Sequence, residues 1–557
     1  MTIEKFADKV IETDVLVIGG GIAGCPVAYK AAEHGLSVTL LDKSNVARSG
    51  SSAVGIDHYG GAYERGMSPQ EFWDEWNRLG YDKAWYFGGP FSDHSRLYRL
   101  YANGMWAIEE LEKMGVNMRW YDGKLRYIKS VRDYPFLRIQ WYRCKPEMAA
   151  AVKKIGVNVL HRTMAMDLLT KDGQCIGATA YNGRTGEYVV IKAKATVMAT
   201  AACSRIYNPE TPVSWTYKFR YHWCPASVSG DGWAMAYRAG AELANMEMTE
   251  RGYRYRDDLC LSQGNRNNEG ISANQFTWNG EPMWGRDRKD LEDTAKTPIY
   301  VALDNLPEDF HKRIELAYVD ERMISFPIAE KRGFNPRTHW YEQMDDRPFQ
   351  LHVMPGITAD KDFKATIPGL YAAGDCIAGQ HDVANAATSG FLIGDQMPEA
   401  LKDLADKQIN MDQVEAGRER LTMHSNAPQD TPPMEVEAAI RYICERYIGT
   451  FRQEGKLYEG MRRLASLKRE FLSQVHASNP HYMVRALELH NLFNMAEVHM
   501  SACFERKESR GFHRRVDFPE QDPKYDDLNT HHQLVDGKTK ISWKKPAPLD
   551  MTLKEDR

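Results

Sequence analysis

Three glycines in one short run carry the clearest chemistry in the chain. Gly19-Gly20-Gly21-Ile22-Ala23-Gly24 has the spacing Gly-x-Gly-x-x-Gly, which seats a pyrophosphate on the free N–H groups of a helix start. Gly19 suits the tight turn, Gly21 lets the backbone approach a phosphate, and Gly24 lets helix and strand pack closely. Asp42 stands downstream as an acceptor for a ribose hydroxyl. The stretch after it, Lys43 to Ile56, is small and hydroxylated, and Lys43, Ser49, Gly50 and Ser51 can donate to a flavin and its pyrophosphate. Ala199 and Thr200 close an apolar run in small residues, and Gly374-Asp375 forms a turn suited to the ribityl or pyrophosphate region. Ser389 and Leu392 lie where a helix N-terminus can stabilise negative charge at flavin N1 and O2. The chemistry these residues suit is the binding of a dinucleotide with a redox-active ring.

Such residues need a scaffold, and the pattern supplies one. Thr13 to Ile18 is apolar enough for a buried strand, Cys25 to His34 for a helix stopped by Gly35, and Leu36 to Leu41 for a second strand ending at Asp42. Strand, glycine turn, helix, strand and terminal acid form a βαβ unit. Residues 68 to 115 read as helical, as does Glu147 to Ile155; Val157 to Leu160 is a strand, and Met164–Leu169 with Cys175–Tyr181 is a hairpin. From Thr249 to Trp340 the composition turns to Asn, Gly, Arg, Asp and Trp, as expected of an inserted domain or lid. Strand-like Ile367 to Asp375 and a small-residue helix from Ala384 then complete the interrupted nucleotide-binding domain. Beyond Met434 three amphipathic helices are expected, with one stripe at Ile440, Ile443, Tyr447 and Phe451 and another at Leu457, Met461, Leu464 and Phe471. The third carries Leu487, Leu492, Met495 and Val498. Residues 505–557 read as an extended tail on the surface, with His531-His532 exposed.

Bulk properties exclude several classes. A net charge of −4 gives no case for nucleic acid or a basic membrane face. No run of eighteen apolar residues exists, so no direct membrane insertion is expected. None of the nine cysteines forms a C-x-x-C pair, so the chain carries no cluster or structural zinc motif and no metal ligands are assigned. The odd cysteine count and the lack of an apolar leader point to a reducing, cytoplasmic setting.

Gly19 to Gly24, Arg48-Ser49-Gly50-Ser51, Gly230 to Gly240 with Ala241-Glu242-Leu243, Gly369 to Asp375, and Arg506 to Gly511 together resemble the flavoprotein subunits of fumarate reductase and succinate dehydrogenase. The resemblance implies an α/β fold: a Rossmann-like FAD-binding domain (1–248 and 346–410) interrupted by a capping domain (249–345), then a helical C-terminal domain with its tail (411–557). It implies FAD as the cofactor and electron exchange with a separate iron–sulfur, ferredoxin-like subunit. Gly50 stands where covalent members carry a tethering His, so the FAD is expected to be non-covalent. Dicarboxylate-reducing members have an Arg after an Ala-Asn pair, whereas Ala384-Asn385 is followed here by Ala386. The adenylylsulfate reductase flavoprotein branch looks similar at Lys145-Pro146, Arg254 to Asp257, around His381, and at Val516 to Pro519 and Trp543 to Pro546. Flavin chemistry needs positive charge or donors beside a substrate held over N5. The branch likeness would make Arg254 and His381 contacts to a small anionic substrate, and position relative to the motifs adds His352 and Arg510. The reading is an FAD-dependent oxidoreductase subunit. Adenylylsulfate reductase proper, a flavin relay subunit without its own substrate, and a dicarboxylate-converting enzyme are the alternatives.

Overall fold

A computed structural model describes residues 3–54, 58–60, 66–79, 89–120, 122–129, 135–139, 143–207, 225–252, 275–282, 299–302, 304, 308, 311, 330–333, 335, 337–338, 340–343, 347–380, 382–428 and 431–555. Arg254, His381 and most of the expected capping stretch lie outside the described residues.

The first elements follow the expected order: strand β1 (Lys9–Ile18), helix α1 (Gly24–Glu33) and strand β2 (Val38–Asp42). β1 and β2 pair in parallel from Val15–Val38 to Ile18–Leu41. Every residue of β2 is buried, as in a parallel strand covered on both faces. Strand β3 (Asn158–His161) extends the sheet beyond β2. The hairpin β4 (Thr163–Lys171) and β5 (Gln174–Asn182) forms where the Asp172-Gly173 turn predicts it. β5 pairs antiparallel with the first half of β6 (Tyr188–Met198), whose other edge runs parallel along β1.

The last three residues of β6 receive a strand from far down the chain, β7 (Leu370–Ala372), in parallel. The seven-stranded sheet is therefore completed only after the intervening stretch. The helix that follows, Val383–Ala400, rests on α1 through glycines. A Cβ on Gly390 would collide with the Ala23 carbonyl, and one on Gly394 would meet Val27 O and Lys30 Cβ at 2.7 Å.

Further helices position the site: α2 (Cys144–Lys154), α3 (Asp231–Arg238), α4 (Val383–Ala400) and the C-terminal group α5 (Pro433–Ile443), α6 (Glu454–Phe471) and α7 (Pro480–Glu505). Leu487, Leu492, Met495 and Val498 are buried on α7 as expected, and so are Ile440, Ile443, Leu457 and Leu464. Phe451 and Phe471 are exposed instead. The helical run continues through a π-helical turn at Cys444–Ile448 and ends at Gly449, which has φ 55, so Phe451 lies beyond the helix and off its stripe; Phe471 is the last residue of α6.

The C-terminal segment corrects two expectations. Rather than lying wholly extended, it folds a hairpin, β8 (Asn529–Val535) with β9 (Lys538–Lys544), that joins Leu243–Ala244 and Gly356–Ile357 in a four-stranded sheet. His531 and His532 sit inside that sheet and are buried, not exposed. The segment is held by charge as well: Arg506 pairs with Glu247 and Glu508 at 2.7 Å, all three fully buried.

A second buried lattice joins α7 to the nucleotide-binding part. Glu488 contacts Lys43 at 2.7 Å and Arg205 at 2.5 Å, and Arg205, Arg441 and Arg485 all reach Glu437 on α5. Burial alone would push the Glu488 carboxyl up, but the charges of Lys43, Arg205 and Arg485 hold it down at about 2.

Removing one partner of a buried pair costs about 3 to 5 kcal/mol, whereas a surface pair such as Lys468–Glu497 contributes about 0 to 1 kcal/mol. Glu488→Gln is expected to lower the urea midpoint, read by tryptophan fluorescence, while Glu497→Gln leaves it near wild type. Because the folded pKa of Glu488 is depressed, its contribution is present above the ordinary carboxylate pKa of about 4.3. It is lost as pH falls toward about 2, so the gap between E488Q and wild type narrows over that window.

Candidate functional site

The turn after β1 is shaped by its glycines. Gly19 adopts φ +107, a conformation unsuited to residues with a Cβ. A Cβ on Gly24 would collide with the Gly19 carbonyl, whereas at Gly21 it would meet open space. Asp42 fastens this turn to the loop beyond β2. Its Oδ2 accepts from Gly20 N–H at 2.9 Å and Ser49 Oγ–H at 2.7 Å, and its Oδ1 accepts from Ser44 N–H at 2.7 Å. A carboxylate has about four acceptor sites, so roughly one remains for a ribose hydroxyl.

These residues line one cleft of about 890 Å³ that opens to solvent. It is bounded by Gly19, Gly21, Asp42, Lys43, Ser49, Gly50, Ser51, Ala199, Thr200, Gly374 and Asp375, so most of the expected cofactor residues meet. Lys43 is turned toward protein acceptors: its Nζ donates to Ser229 at 2.8 Å, Asp231 at 2.6 Å and Glu488 at 2.7 Å. Gly24, Ser389 and Leu392 support the cleft without lining it. Ser389 Oγ accepts from Gly374 N–H at 3.0 Å and fixes that turn, and Leu392 is buried in the core.

His352 is buried and donates through Nε2 to Asp375 Oδ2 at 3.1 Å. Its backbone is held by an unusual turn: Val353 has φ 72, and Met354 N–H bonds back to His352 O at 2.9 Å. That is a γ-turn of the strained, positive-φ kind, uncommon for any residue and most so for a β-branched one. Arg510 lies elsewhere. Its guanidinium is taken up by Glu508 at 2.8 Å and Asp526 at 2.6 Å within the C-terminal segment.

Several site residues were not singled out from the sequence. Asp231, at the start of α3, lines the cleft and accepts from Lys43 and from Asn491 at 2.8 Å; the Gly230-Asp231-Gly232 triplet was a usable signal. Thr163, Met164 and Ala165 line the cleft from β4, and nothing local in that hairpin marks them. Lys145, on the first turn of α2, is buried and donates to the Gly20 carbonyl.

The cleft fits FAD on its own polar inventory. No side chain caps the first turn of α1, which leaves N–H donors for a pyrophosphate. Asp375 Oδ1 and Ser52 Oγ belong to residues that line the cleft, and both atoms are buried without a protein partner among the described residues; such groups are ordinarily met by a ligand or an ordered water. A side chain at position 21 would occupy the open space at the turn. Gly21→Val is therefore expected to fold, with an unchanged circular dichroism spectrum, but to purify with little or no flavin absorbance at 450 nm.

Comparison with known proteins bears on the cofactor and the family. The family described as FAD binding domain matches residues 14–251 and 270–392, and the one described as fumarate reductase flavoprotein C-term matches residues 437–555. An uncharacterized FAD-dependent oxidoreductase of Methanocaldococcus jannaschii is 24% identical over 92% of this chain and 94% of its own length. One subunit of a fumarate reductase (CoM/CoB) of Methanothermobacter marburgensis is 23% identical over 93% of this chain and 96% of its own. Among solved structures, adenylylsulfate reductase of Archaeoglobus fulgidus shares the fold with a TM-score of 0.78 at 21% identity, covering 99% of this chain and 98% of that one. Among the described residues no helix is long and apolar enough to cross a membrane. With the FAD-binding match covering most of its length and the C-terminal match following it, the chain belongs to the fumarate reductase and succinate dehydrogenase type of FAD-dependent oxidoreductase flavoproteins.

Proposed function

We propose that this chain is the flavoprotein subunit of a cytoplasmic reductase or dehydrogenase. It exchanges electrons between non-covalent FAD and an iron–sulfur partner and acts on a small anionic substrate. The observation that carries the reading is the end-to-end likeness to a relative named as one subunit of a reductase, spanning 93% of this chain and 96% of that one. When bound, FAD supplies two-electron exchange with a substrate and one-electron exchange with a protein partner.

The chain's own residues hold and bias that cofactor. The glycine turn and α1 take the pyrophosphate, and Asp375, oriented by His352, is part of the cleft lining. Arg254 and His381 are the proposed cationic or donor contacts to the substrate, with His352 as a positioning residue behind Asp375. Arg510 is committed to Glu508 and Asp526, which favours a structural role for it.

Ala386 helps select among substrates. It lines the cleft near the start of α4, close enough that a Cβ on Gly374 would meet its Cβ at 3.3 Å. The resembled dicarboxylate enzymes place an arginine after the corresponding Ala-Asn pair. A chain without that guanidinium lacks the charge that would hold a second carboxylate, which favours adenylylsulfate over fumarate or succinate.

Anaerobic titration of the reduced holoprotein tests this. Reoxidation of the flavin by adenylylsulfate, and reduction of the oxidised form by sulfite with AMP, are the expected outcomes. A response to fumarate alone would replace the reading with dicarboxylate chemistry. Indifference to every substrate, together with reoxidation by a ferredoxin, would make the chain a relay. Because Gly50 offers no tethering side chain, all of the flavin is expected in the supernatant after acid precipitation.

A further inference from the structure

We propose that Lys145 is a positioning residue behind the glycine turn whose ammonium charge is balanced by the pyrophosphate of FAD, an inference that rests on FAD being the occupant of the cleft. Lys145 projects from the first turn of α2, is 3% exposed, and donates from Nζ to the Gly20 carbonyl. An ammonium has three N–H donors and a full charge, and one carbonyl satisfies only part of that.

Other enclosed lysines in the chain show the usual remedy. Lys30 is paired with Glu33 at 2.7 Å and Glu110 at 3.0 Å, and Lys43 with Asp231 at 2.6 Å and Glu488 at 2.7 Å. Lys145 has no such anion: among the described residues no carboxylate lies within 4.0 Å of its Nζ. Asp42 sits at the other end of the Gly20 residue, where it takes the Gly20 N–H, and forms no ion pair with Lys145 within 4.0 Å. Cys25 Sγ, which shares the Gly20 carbonyl at 3.3 Å, brings no counter-charge. Burying a cation this way is unfavourable unless an anion arrives.

The Gly20 carbonyl also belongs to the peptide unit that carries the Gly21 N–H. Hydrogen bonding at the oxygen strengthens that N–H as a donor, and Gly20, Gly21 and Ile22 all line the cleft. Lys145 thus stands behind the turn that takes the pyrophosphate, where its charge attracts the ligand and its hydrogen bond polarises the cradle.

Two measurements on Lys145→Gln and Lys145→Arg test this. The first is FAD release from the purified holoprotein on dilution, followed by flavin fluorescence. The second is urea unfolding of the FAD-stripped protein. K145Q is expected to release FAD about tenfold faster than wild type or more, and K145R within about threefold of it. FAD-stripped K145Q is expected to be at least as stable as FAD-stripped wild type, because it has shed an unmatched buried charge. A residue that merely props the turn gives the opposite pattern. K145Q that retains FAD like wild type, that is less stable without FAD, or that does not fold would overturn the proposal, as would K145R losing FAD as fast as K145Q. Wild type that purifies without flavin and cannot be refilled would overturn the FAD reading itself, and this proposal with it, without reference to any variant.

Discussion

The buried carboxylate of Asp42 is the point at which the cofactor cleft is tied together. It ends β2, receives the Gly20 N–H from the turn after β1, and receives Ser44 and Ser49 from its own loop. Three donors on one carboxylate, two of them backbone, fix three segments relative to one another without a counter-ion. Hydrogen bonds to an ionised acceptor are short and strong. The clasp also accounts for an unforced-looking feature of the sequence, the run of three glycines. A Cβ on Gly20 would meet Asp42 Oδ2 at 2.9 Å and the Val46 side chain, so the middle glycine is needed for the clasp as the outer two are needed for the turn and the ligand.

The C-terminal helices then belong to the same assembly rather than to a detached module. Glu488 and Asn491 of α7 reach Lys43 and Asp231, which both line the cleft. The last segment folds back to the same side: Arg506, stacked 4.8 Å from the Trp543 ring, pairs with Glu247 just after Leu243–Ala244. Such contacts are costly to desolvate and rewarding only when complete. They therefore favour one arrangement of the helical region over alternatives, and they couple the ends of the chain to the integrity of the cofactor site.

This division explains what could be read in advance. The βαβ unit, the glycine turn, the hairpin and the returning strand β7 were legible because each is written in local spacing: period, turn residues and small residues at close approaches. The buried His531-His532 pair was not, since its burial depends on Leu243–Ala244 arriving beside β8 from nearly three hundred residues away. Phe451 was misplaced because the helix stops at Gly449, two residues before it, and a helical period no longer applies there. Lys145 entered only through the Lys145-Pro146 likeness, which assigned it no role; the proximity of α2 to the Gly20 carbonyl supplies one. Arg510 shows the converse, a residue selected by its motif whose guanidinium is bound up with Glu508 and Asp526 outside the cleft.

The strained turn at Val353 is the remaining local exception, and its position is informative. A positive-φ γ-turn in a β-branched residue costs roughly 1 to 3 kcal/mol and persists only where its surroundings impose it. Here the imposed result is the seat of His352, which donates to one oxygen of Asp375 while the other is buried without a protein partner among the described residues. A neutral apolar core would gain nothing from that arrangement, since it leaves a buried acceptor unmet. The same geometry is useful if a ligand donor arrives, because His352 already holds the carboxylate in one orientation. Valine at this position is thus better explained by the ligand-bound site than by the stability of the fold. The strain is held at Val353, and the residue it seats, His352, fixes a carboxylate of the cleft lining.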